Sequence, residues 1–439
     1  MKKIINTLFF LVLYIGSICS QQFNSAKLDS VMDALESNDK FMGSLAVSHN
    51  GEILYSRAIG YADIESKKEA TPATIYRIGS ISKMFTTALI FKAIEENKLS
   101  LNQTIDKFFP DLKNADKITI SNLLNHRSGI FSFTDDPDYK NWCTQPKTED
   151  ELLDIIRKGE AQFEPNNKAA YSNSNFILLT FILEKIYNKS YKELLTEKIL
   201  EPLGLMHTYL GGKTNIDEGE CYSYKYLGKW VKEPETDMSI PLGAGAIESN
   251  PEDLTYFIEN LFAGKIISDS SLKQMTTIID GYGRGIFQVP FYEKKGFGHG
   301  GGIDGFTSMV AYFPDDTVSI ALTSNGTNFK NNDLLIDALS CYYDRPFKLP
   351  EFSTFKVNTE EFHKYEGIYA SEQIPLKITI SVKEGVLTAQ ATGQSAFGLE
   401  PSEKDVFKFN PAGVVMRFTP EKNKFVLEQG GGVYTFIKE

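Results

Sequence analysis

The chain has 439 residues, of which 42% are hydrophobic and 23% are charged, and its formal net charge is −11. This composition excludes a disordered, collagen-like or coiled-coil chain, and at roughly 150 residues per domain the length predicts two to three domains. The acidic balance lacks the positive surface that nucleic acid or anionic lipid requires, so we expect neither kind of partner.

The first twenty residues have the pattern of a secretory signal peptide. Two lysines precede an apolar run from Ile4 to Ile18, which gives way to small and polar residues. A charged start, a short apolar core and small residues at its end are typical of such a leader. The run is shorter than the roughly 20 apolar residues of a membrane-spanning helix, so we expect no transmembrane anchor after cleavage. Cleavage near Ser20 predicts a periplasmic or secreted protein, and the bulky Ile18 argues against lipidation of Cys19.

Three further cysteines, Cys143, Cys221 and Cys341, are spread along the rest of the chain. Their spacing matches neither a disulfide framework nor the CxxC pattern of a zinc site. One disulfide with a spare thiol is compatible with export, but the spacing does not select the pair. The sequence predicts no metal and no cofactor.

The predicted elements place strands at both ends of the first part of the chain and helices between them. A hairpin is predicted over 43–55, because Asn-Gly between apolar runs is the strongest short-range hairpin signal. A helix is predicted over 82–97, and apolar residues on more than one of its faces predict burial. Further helices are predicted over 149–158, 176–186, 191–199 and 251–262, and strands over 307–313 and 318–323. This order predicts an α/β layer fold whose sheet joins the two ends of the domain.

The composition changes near residues 344–358, which predicts a linker over 346–358 between a first domain over 21–345 and a second over 359–439. Beyond the linker, about eight short alternating runs follow at hairpin spacing, separated by turns rich in glycine. This spacing favours a small antiparallel barrel or sandwich.

Ser80 and Lys83 lie three residues apart at the start of the predicted helix, so their side chains share one face. A serine hydroxyl becomes nucleophilic when a base takes its proton, and a desolvated lysine with a lowered pKa can be that base or can set up another group as the base. The helix N-terminus adds free backbone N–H groups, which suit a developing oxyanion. The plain alternative is that Ser80 or Ser82 caps the helix while Lys83 is solvated.

Tyr171 and Asn173 lie in a polar stretch just before the helix predicted at 176. A tyrosine phenol beside an ammonium can move a proton between a serine and a leaving group. The Asn173 amide can hold the lysine or a substrate carbonyl. The alternative is a polar loop with helix-capping residues.

A glycine-rich stretch over 298–306 leads into the strand predicted at 307. Its glycines allow a substrate to approach the backbone closely, and an edge strand here can pair with a peptide-like ligand. His299 can donate a hydrogen bond to the substrate or take part in proton transfer. The alternative is a glycine-rich turn with an incidental histidine.

Together and in this order, the three stretches resemble the signatures S-x-x-K, Y-x-N and K/H-T/G-G of the serine β-lactamase and penicillin-binding protein superfamily. The matching residues are Ser80 and Lys83, Tyr171 and Asn173, and His299 and Gly301. The resemblance is to the class C and DD-peptidase-like branch and covers about 25–345. The tail resembles the lipocalin-like β domain appended to relatives called esterases or D-aminopeptidases. The resemblance implies a β-lactamase/transpeptidase-like α+β fold, an antiparallel sheet flanked by helices, followed by a small antiparallel β-barrel.

By the same resemblance, Ser80 is the nucleophile that forms the acyl-enzyme, and Lys83 and Tyr171 share the proton transfers. The backbone N–H groups of Ser80 and Gly302 would form the oxyanion hole. The resemblance implies that the substrate is lined by Asn173, His299 and Gly301.

One departure from the family pattern bears on the substrate. A dedicated class C β-lactamase has Lys-Thr-Gly where this chain has His299-Gly300-Gly301, so the groups that would hold a β-lactam carboxylate are missing. The resemblance therefore implies an exported serine hydrolase that acts on a D-residue-containing peptide, as DD-carboxypeptidases and D-aminopeptidases do, or on a small ester. A class C-like β-lactamase stays open as an alternative, as does a catalytically silent protein that binds cell-wall peptides such as peptidoglycan fragments. The residues do not fix the oligomeric state.

Overall fold

A computed structural model of the protein describes residues 23–352, 355, 358–383, 385–394 and 396–439. The predicted signal peptide and its cleavage site lie outside these residues, as does part of the predicted linker. Within the described ranges, no helix is both long and apolar enough to cross a membrane. Cys143, Cys221 and Cys341 are all free thiols.

The helices follow the predicted pattern in the middle of the chain. In chain order they are α1 Ser25–Ser37, α2 Ser82–Glu95, α3 Ile120–Leu124, α4 Tyr139–Trp142, α5 Glu149–Lys158, α6 Ser174–Tyr187, α7 Tyr191–Leu195, α8 Glu201–Leu203, α9 Leu242–Gly245, α10 Pro251–Phe262, α11 Asp269–Met275 and α12 Asn331–Tyr342. The predictions of α2, α5, α6 and α10 are confirmed, whereas α7 is shorter than predicted because the chain continues as a π-helix over Thr196–Leu200.

Local sequence explains where several of these helices begin. Thr148 and Glu151 form a reciprocal capping box at α5, so each satisfies a backbone N–H of the first turn. Asn250 caps α10, whose first residue is Pro251, a residue that loses no hydrogen bond at this position. The predicted burial of α2 is confirmed, since its residues from Ser82 to Phe91 are all buried.

Thirteen strands precede the C-terminal part in the described ranges. They are β1 Phe41–His49, β2 Glu52–Ile59, β3 Tyr61–Asp63, β4 Lys68–Glu69, β5 Tyr76–Arg77, β6 Tyr209–Leu210, β7 Tyr224–Tyr226, β8 Trp230–Lys232, β9 Ile247–Ser249, β10 Phe287–Phe291, β11 Lys294–Ile303, β12 Phe306–Phe313 and β13 Val318–Thr327. The predicted hairpin is β1 and β2, and both residues of its Asn50-Gly51 turn have positive φ.

A six-stranded antiparallel sheet organises this part of the chain, in the order β10-β11-β12-β13-β1-β2. Strand β1 pairs with β13, with Leu45 opposite Leu322, so the sheet joins the two ends as predicted. Successive side chains of β13 point to opposite faces of the sheet, so Ile320 and Leu322 lie on one face and Ala321 on the other. The fold is therefore the expected layered α+β arrangement.

Helices cover both faces of the sheet. Buried side chains of α1 and α12, among them Leu28 and Leu334, share an apolar cluster with Ile320 on one face. On the other face, α10 packs beside α2, and the rings of Phe85 and Phe257 stack with centroids 3.7 Å apart. This second layer holds α2 rigidly between the sheet and the remaining helices, which fixes the start of α2.

The C-terminal part is a nearly closed antiparallel barrel, as expected. Nine strands form it in the described ranges: β14 Gly367–Ala370, β15 Lys377–Lys383, β16 Val386–Ala391, β17 Phe397–Gly398, β18 Glu400–Glu403, β19 Val406–Phe409, β20 Val414–Thr419, β21 Lys424–Gln429 and β22 Gly432–Lys438. The sequence predicted eight of these strands, and the additional one is β18. It was not predicted because its residues are polar and include Pro401, so it shows no alternating hydrophobic pattern. The edge strands β17 and β18 are adjacent in the chain, which brings the two edges together.

The barrel contacts the rest of the protein through a partly buried ion pair. The Lys40 ammonium lies 2.5 Å from the Glu400 carboxylate, and their side chains are 11% and 25% exposed. The same carboxylate accepts hydrogen bonds from the amides of Asn328 and Asn410. A second contact comes from the turn between β7 and β8, where Gly228 packs against Val386.

Candidate active site

Ser80 lies in a single 3-10 turn between the short strand β5 and helix α2. The residue before it, Gly79, has φ +50°, a left-handed conformation that favours glycine. A Cβ atom at Gly79 would also lie 2.7 Å from the backbone nitrogen of Gly302. The turn therefore presents Ser80, partly exposed, directly beside strand β11.

Lys83 is fully buried one turn into α2, and its Nζ contacts three oxygen atoms. It lies 2.9 Å from the Ser80 Oγ, 2.8 Å from the Asn173 Oδ1 and 2.6 Å from the carbonyl oxygen of Ala244. Burial holds the pKa of Lys83 well below its ordinary value, because the charged form loses its hydration. The two carbonyl-type oxygens can only accept, so they take two N–H groups, and the third position of the nitrogen points at the Ser80 hydroxyl.

Tyr171 lies beside Ser80, and the Ser80 side chain interacts with its phenol. Burial raises the pKa of Tyr171 above its ordinary value, so the phenol stays protonated at neutral pH. The Lys83 Nζ lies 5.0 Å from the centroid of the Tyr171 ring. The His126 ring stacks on the same ring at 4.3 Å, which fixes its plane.

Asn173 is held in one orientation by hydrogen bonds on both sides of its amide. Its Oδ1 accepts from Lys83, and its Nδ2 donates to the Thr134 Oγ1 at 3.0 Å. Its backbone N–H donates to the Ser132 Oγ at 3.1 Å. Because an amide flip would break the first two contacts, the Asn173 oxygen is fixed toward the lysine.

Strand β11 carries the glycine-rich stretch along the edge of the site. Its pairing with β10 ends at Gly298, so no described strand pairs with 299–303 on that side. A Cβ atom at Gly301 would lie 2.0 Å from the carbonyl oxygen of Ile78, so only glycine lets β11 pass this close to the turn. The stretch is therefore a strand with a free edge and not the glycine-rich turn of the alternative, and the approach of a substrate to this backbone stays a prediction.

His299 is buried beneath β11, between the rings of Phe287 and Tyr171. Its Nδ1 donates to the carbonyl oxygen of Gly300 at 2.5 Å. Burial, together with the nearby Lys83 charge, lowers the pKa of His299 to about 3, so the ring is neutral at physiological pH. Its Nε2 is thus an acceptor, and no described group pairs with it.

An open cavity of about 490 Å³ lies in front of these residues. Of the predicted site residues, Ser80, Asn173 and Gly302 line it. The other predicted residues do not line this cavity; they are Lys83, Tyr171, His299 and Gly301. The structure therefore brings all the predicted residues together around Ser80, but Lys83 and Tyr171, the residues predicted to transfer protons, do not line the cavity.

Three contributions to the site have no counterpart in the motifs. The Ala244 carbonyl and the Thr134 hydroxyl orient Lys83 and Asn173. Arg77, 2% exposed, donates to the carboxylates of Asp304 and Glu235, both at 2.9 Å. The position of Arg77, three residues before Ser80, could have drawn attention to it in the sequence. No local pattern, however, pairs Arg77 with residues 235 and 304.

Comparison with known proteins was consistent with this geometry. The family model for beta-lactamase matches residues 32–339. The chain is 29% identical over 309 residues to the teichoic acid D-alanine hydrolase of Staphylococcus aureus (strain MRSA252), a match that covers 68% of this chain and 74% of that relative.

Two solved structures share the fold, each at about a quarter sequence identity to this chain. The octameric penicillin-binding protein homologue from Pyrococcus abyssi has a TM-score of 0.66 at 26% identity and covers 94% of this chain and 100% of its own. The D-amino acid amidase from Ochrobactrum anthropi SV3, complexed with L-phenylalanine amide, has a TM-score of 0.64 at 25% identity and covers 73% and 98%. The chain therefore belongs to the beta-lactamase family and is a serine hydrolase.

Proposed function

We propose that this protein cleaves an amide or ester bond through an acyl intermediate on Ser80. The observation that carries the proposal is the buried Lys83, whose nitrogen is held by two acceptors so that its remaining position points at the Ser80 hydroxyl. A neutral lysine in this position presents its lone pair to the hydroxyl, which is the requirement for a general base.

In the first half of the reaction, Lys83 takes the proton from the Ser80 Oγ as that oxygen attacks the substrate carbonyl carbon. The backbone N–H groups of Ser80 and Gly302 would donate to the resulting oxyanion. The leaving amine or alcohol takes a proton from Tyr171, and Tyr171 recovers one from Lys83. Water then hydrolyses the acyl-enzyme by the same groups in reverse, which restores the free serine.

The remaining predicted residues would position these groups and the substrate. Asn173 fixes Lys83 and also lines the cavity, so its amide can contact the bound substrate. Gly301 lets β11 approach the turn, and His299 supports Tyr171 from behind. We therefore assign the substrate's main-chain contacts to the free edge of β11 and not to the His299 ring.

The substrate we propose carries a D-residue at the scissile bond, as in a DD-carboxypeptidase or D-aminopeptidase substrate, or is a small ester. The names of two similar proteins support this choice, since one is a D-alanine hydrolase and the other a D-amino acid amidase. The neutral, buried His299 in place of a lysine supports the view that β-lactams are poor substrates. Peptidoglycan fragments are the candidate natural partners, and we propose export by the leader over 1–20.

The test is covalent labelling of the purified protein. A fluorophosphonate should add one adduct by intact mass, and the adduct should be lost in Ser80→Ala but kept in Ser30→Ala, a serine that bonds only within its own helix. Turnover of a D-Ala-D-Ala peptide, a D-aminoacyl amide, a p-nitrophenyl ester and nitrocefin then selects the substrate class. An adduct that survives Ser80→Ala would exclude this mechanism. Binding of peptidoglycan fragments with neither adduct nor turnover would favour the silent binding protein.

A further inference from the structure

A second cavity of about 520 Å³ adjoins the one in front of Ser80. Thr144 and Thr236 line both cavities, so the two spaces border each other at this pair of threonines. The backbone N–H of Asp237 donates to the carbonyl oxygen of Cys143 at 2.8 Å, which ties together the two segments that carry the threonines. The junction is therefore a fixed part of the site.

Arg77 stiffens the wall between the cavities. It lines the second cavity and donates to Asp304, which lines the first, and to Glu235, which lines the second. Asp304 in turn accepts from the backbone N–H and the hydroxyl of Thr236, at 3.1 and 2.6 Å. A buried arginine whose two terminal nitrogens are both paired with carboxylates is held in one geometry.

The second cavity offers the mixed chemistry that a peptide requires. Its apolar side chains are Leu210, Met238 and Leu242, and its polar ones include Ser239, Asp237 and Lys213. The Lys213 ammonium makes no hydrogen bond or ion pair with any group in the described ranges, so it is available to a carboxylate. The proton-transfer steps proposed above use none of these groups.

We propose that the second cavity is a binding subsite for a peptide chain that continues from the bond held at Ser80. The favoured substrate is then a peptide of several residues and not a single amino-acid derivative. Each cavity has the volume of a typical small-ligand site, about 300–1,000 Å³, so a dipeptide fits in the first and a longer peptide needs both. This inference rests on the proposed hydrolase function and extends it to substrate length.

Gly212 provides a matched pair of variants for the test. It lines the second cavity, its backbone is outside the left-handed region, and a Cβ atom there would meet nothing within 4 Å. Gly212→Ala therefore adds a methyl group to open space, whereas Gly212→Phe adds a ring at the lining of the cavity. The Gly212 carbonyl, which accepts from Arg77, is kept in both variants.

The measurement compares a pentapeptide and a dipeptide that share a D-Ala-D-Ala terminus, with p-nitrophenyl acetate as a reference. In Gly212→Phe, kcat/KM for the pentapeptide should fall about tenfold or more, while the dipeptide and the ester change by less than about twofold. Gly212→Ala should change none of the three beyond that range. Equal effects on pentapeptide and dipeptide, or no effect on either, would overturn the subsite.

A binding experiment separates this inference from the proposed function. If the wild-type protein shows no fluorophosphonate adduct, the hydrolase mechanism fails, and the subsite is judged by calorimetric binding of the two peptides. Tighter binding of the pentapeptide, abolished by Gly212→Phe, still supports the subsite. Equal affinity for both peptides in the wild type contradicts it, whatever the protein's activity.

Discussion

At the scale of single residues, Lys83 connects several parts of the site, since its nitrogen touches Ser80, Asn173 and Ala244. Its burial lowers its pKa and so favours the neutral amine, and its three oxygen contacts give that amine one direction. The nearby His299, with a pKa of about 3, and Tyr171, with a raised pKa, keep constant protonation over the working range. Lys83 is thus the group among these three whose titration should control activity.

We therefore expect kcat/KM to fall as the pH drops through the lowered pKa of Lys83, because the protonated lysine has no lone pair for Ser80. The position of this acid limb should be unchanged in His299→Gln. Lys83→Met should lower acylation by about 10²–10⁴, the usual contribution of a general base. A pH profile of ester hydrolysis measures both effects, with the exposed Lys107→Met as control. An acid limb that persists in Lys83→Met would assign it to another group.

At the scale of elements, the site depends on how closely strand β11 approaches the turn before α2. Sequence patterns predicted α2 and the motif residues, because helical period and three short signatures are local information. They did not predict that 294–303 is a strand, since its glycines have low strand propensity and only pairing with β12 makes it extended. The Ala244 carbonyl could not be predicted either, because a main-chain oxygen carries no sequence signal. Helix α1 is not among the predicted elements, although its sequence carries a local signal for it. The buried residues that follow the helical period are Leu28, Val31, Met32 and Leu35.

Gly79→Ala tests this approach, with Gly204→Ala as its matched control. Both glycines have positive φ, so both variants carry the backbone cost of about 1–2 kcal/mol. A Cβ atom at Gly204 meets nothing within 4 Å, whereas one at Gly79 meets the backbone of Gly302. We expect a loss of thermal stability in both variants, larger in Gly79→Ala, and a loss of Ser80 labelling only in Gly79→Ala. Full labelling of that variant would show that the turn and β11 can separate without cost.

At the scale of the whole molecule, the barrel is attached through Glu400, which accepts from Lys40, Asn328 and Asn410. Removing this carboxylate leaves a partly buried ammonium and two amides without their acceptor. Glu400→Ala should therefore lower the free energy of unfolding by about 1–3 kcal/mol and speed proteolysis in the predicted linker over 346–358. Calorimetry and limited trypsin digestion measure these changes, and the exposed Glu403→Ala is the control. Equal digestion rates in the two variants would mean that other contacts hold the barrel.

The pairing of β1 with β13 also has a consequence for how the protein folds. The hairpin of β1 and β2 forms early in the chain, but a two-stranded hairpin alone is marginally stable in water. Its stabilising neighbour β13 is the last strand before the barrel in the described ranges, with most of the helices encoded between them. Such non-local contacts slow folding, and until β13 arrives the buried face and open edge of β1 are free to pair with other chains. The newly made protein is therefore most prone to aggregation before residues 318–327 have joined the sheet.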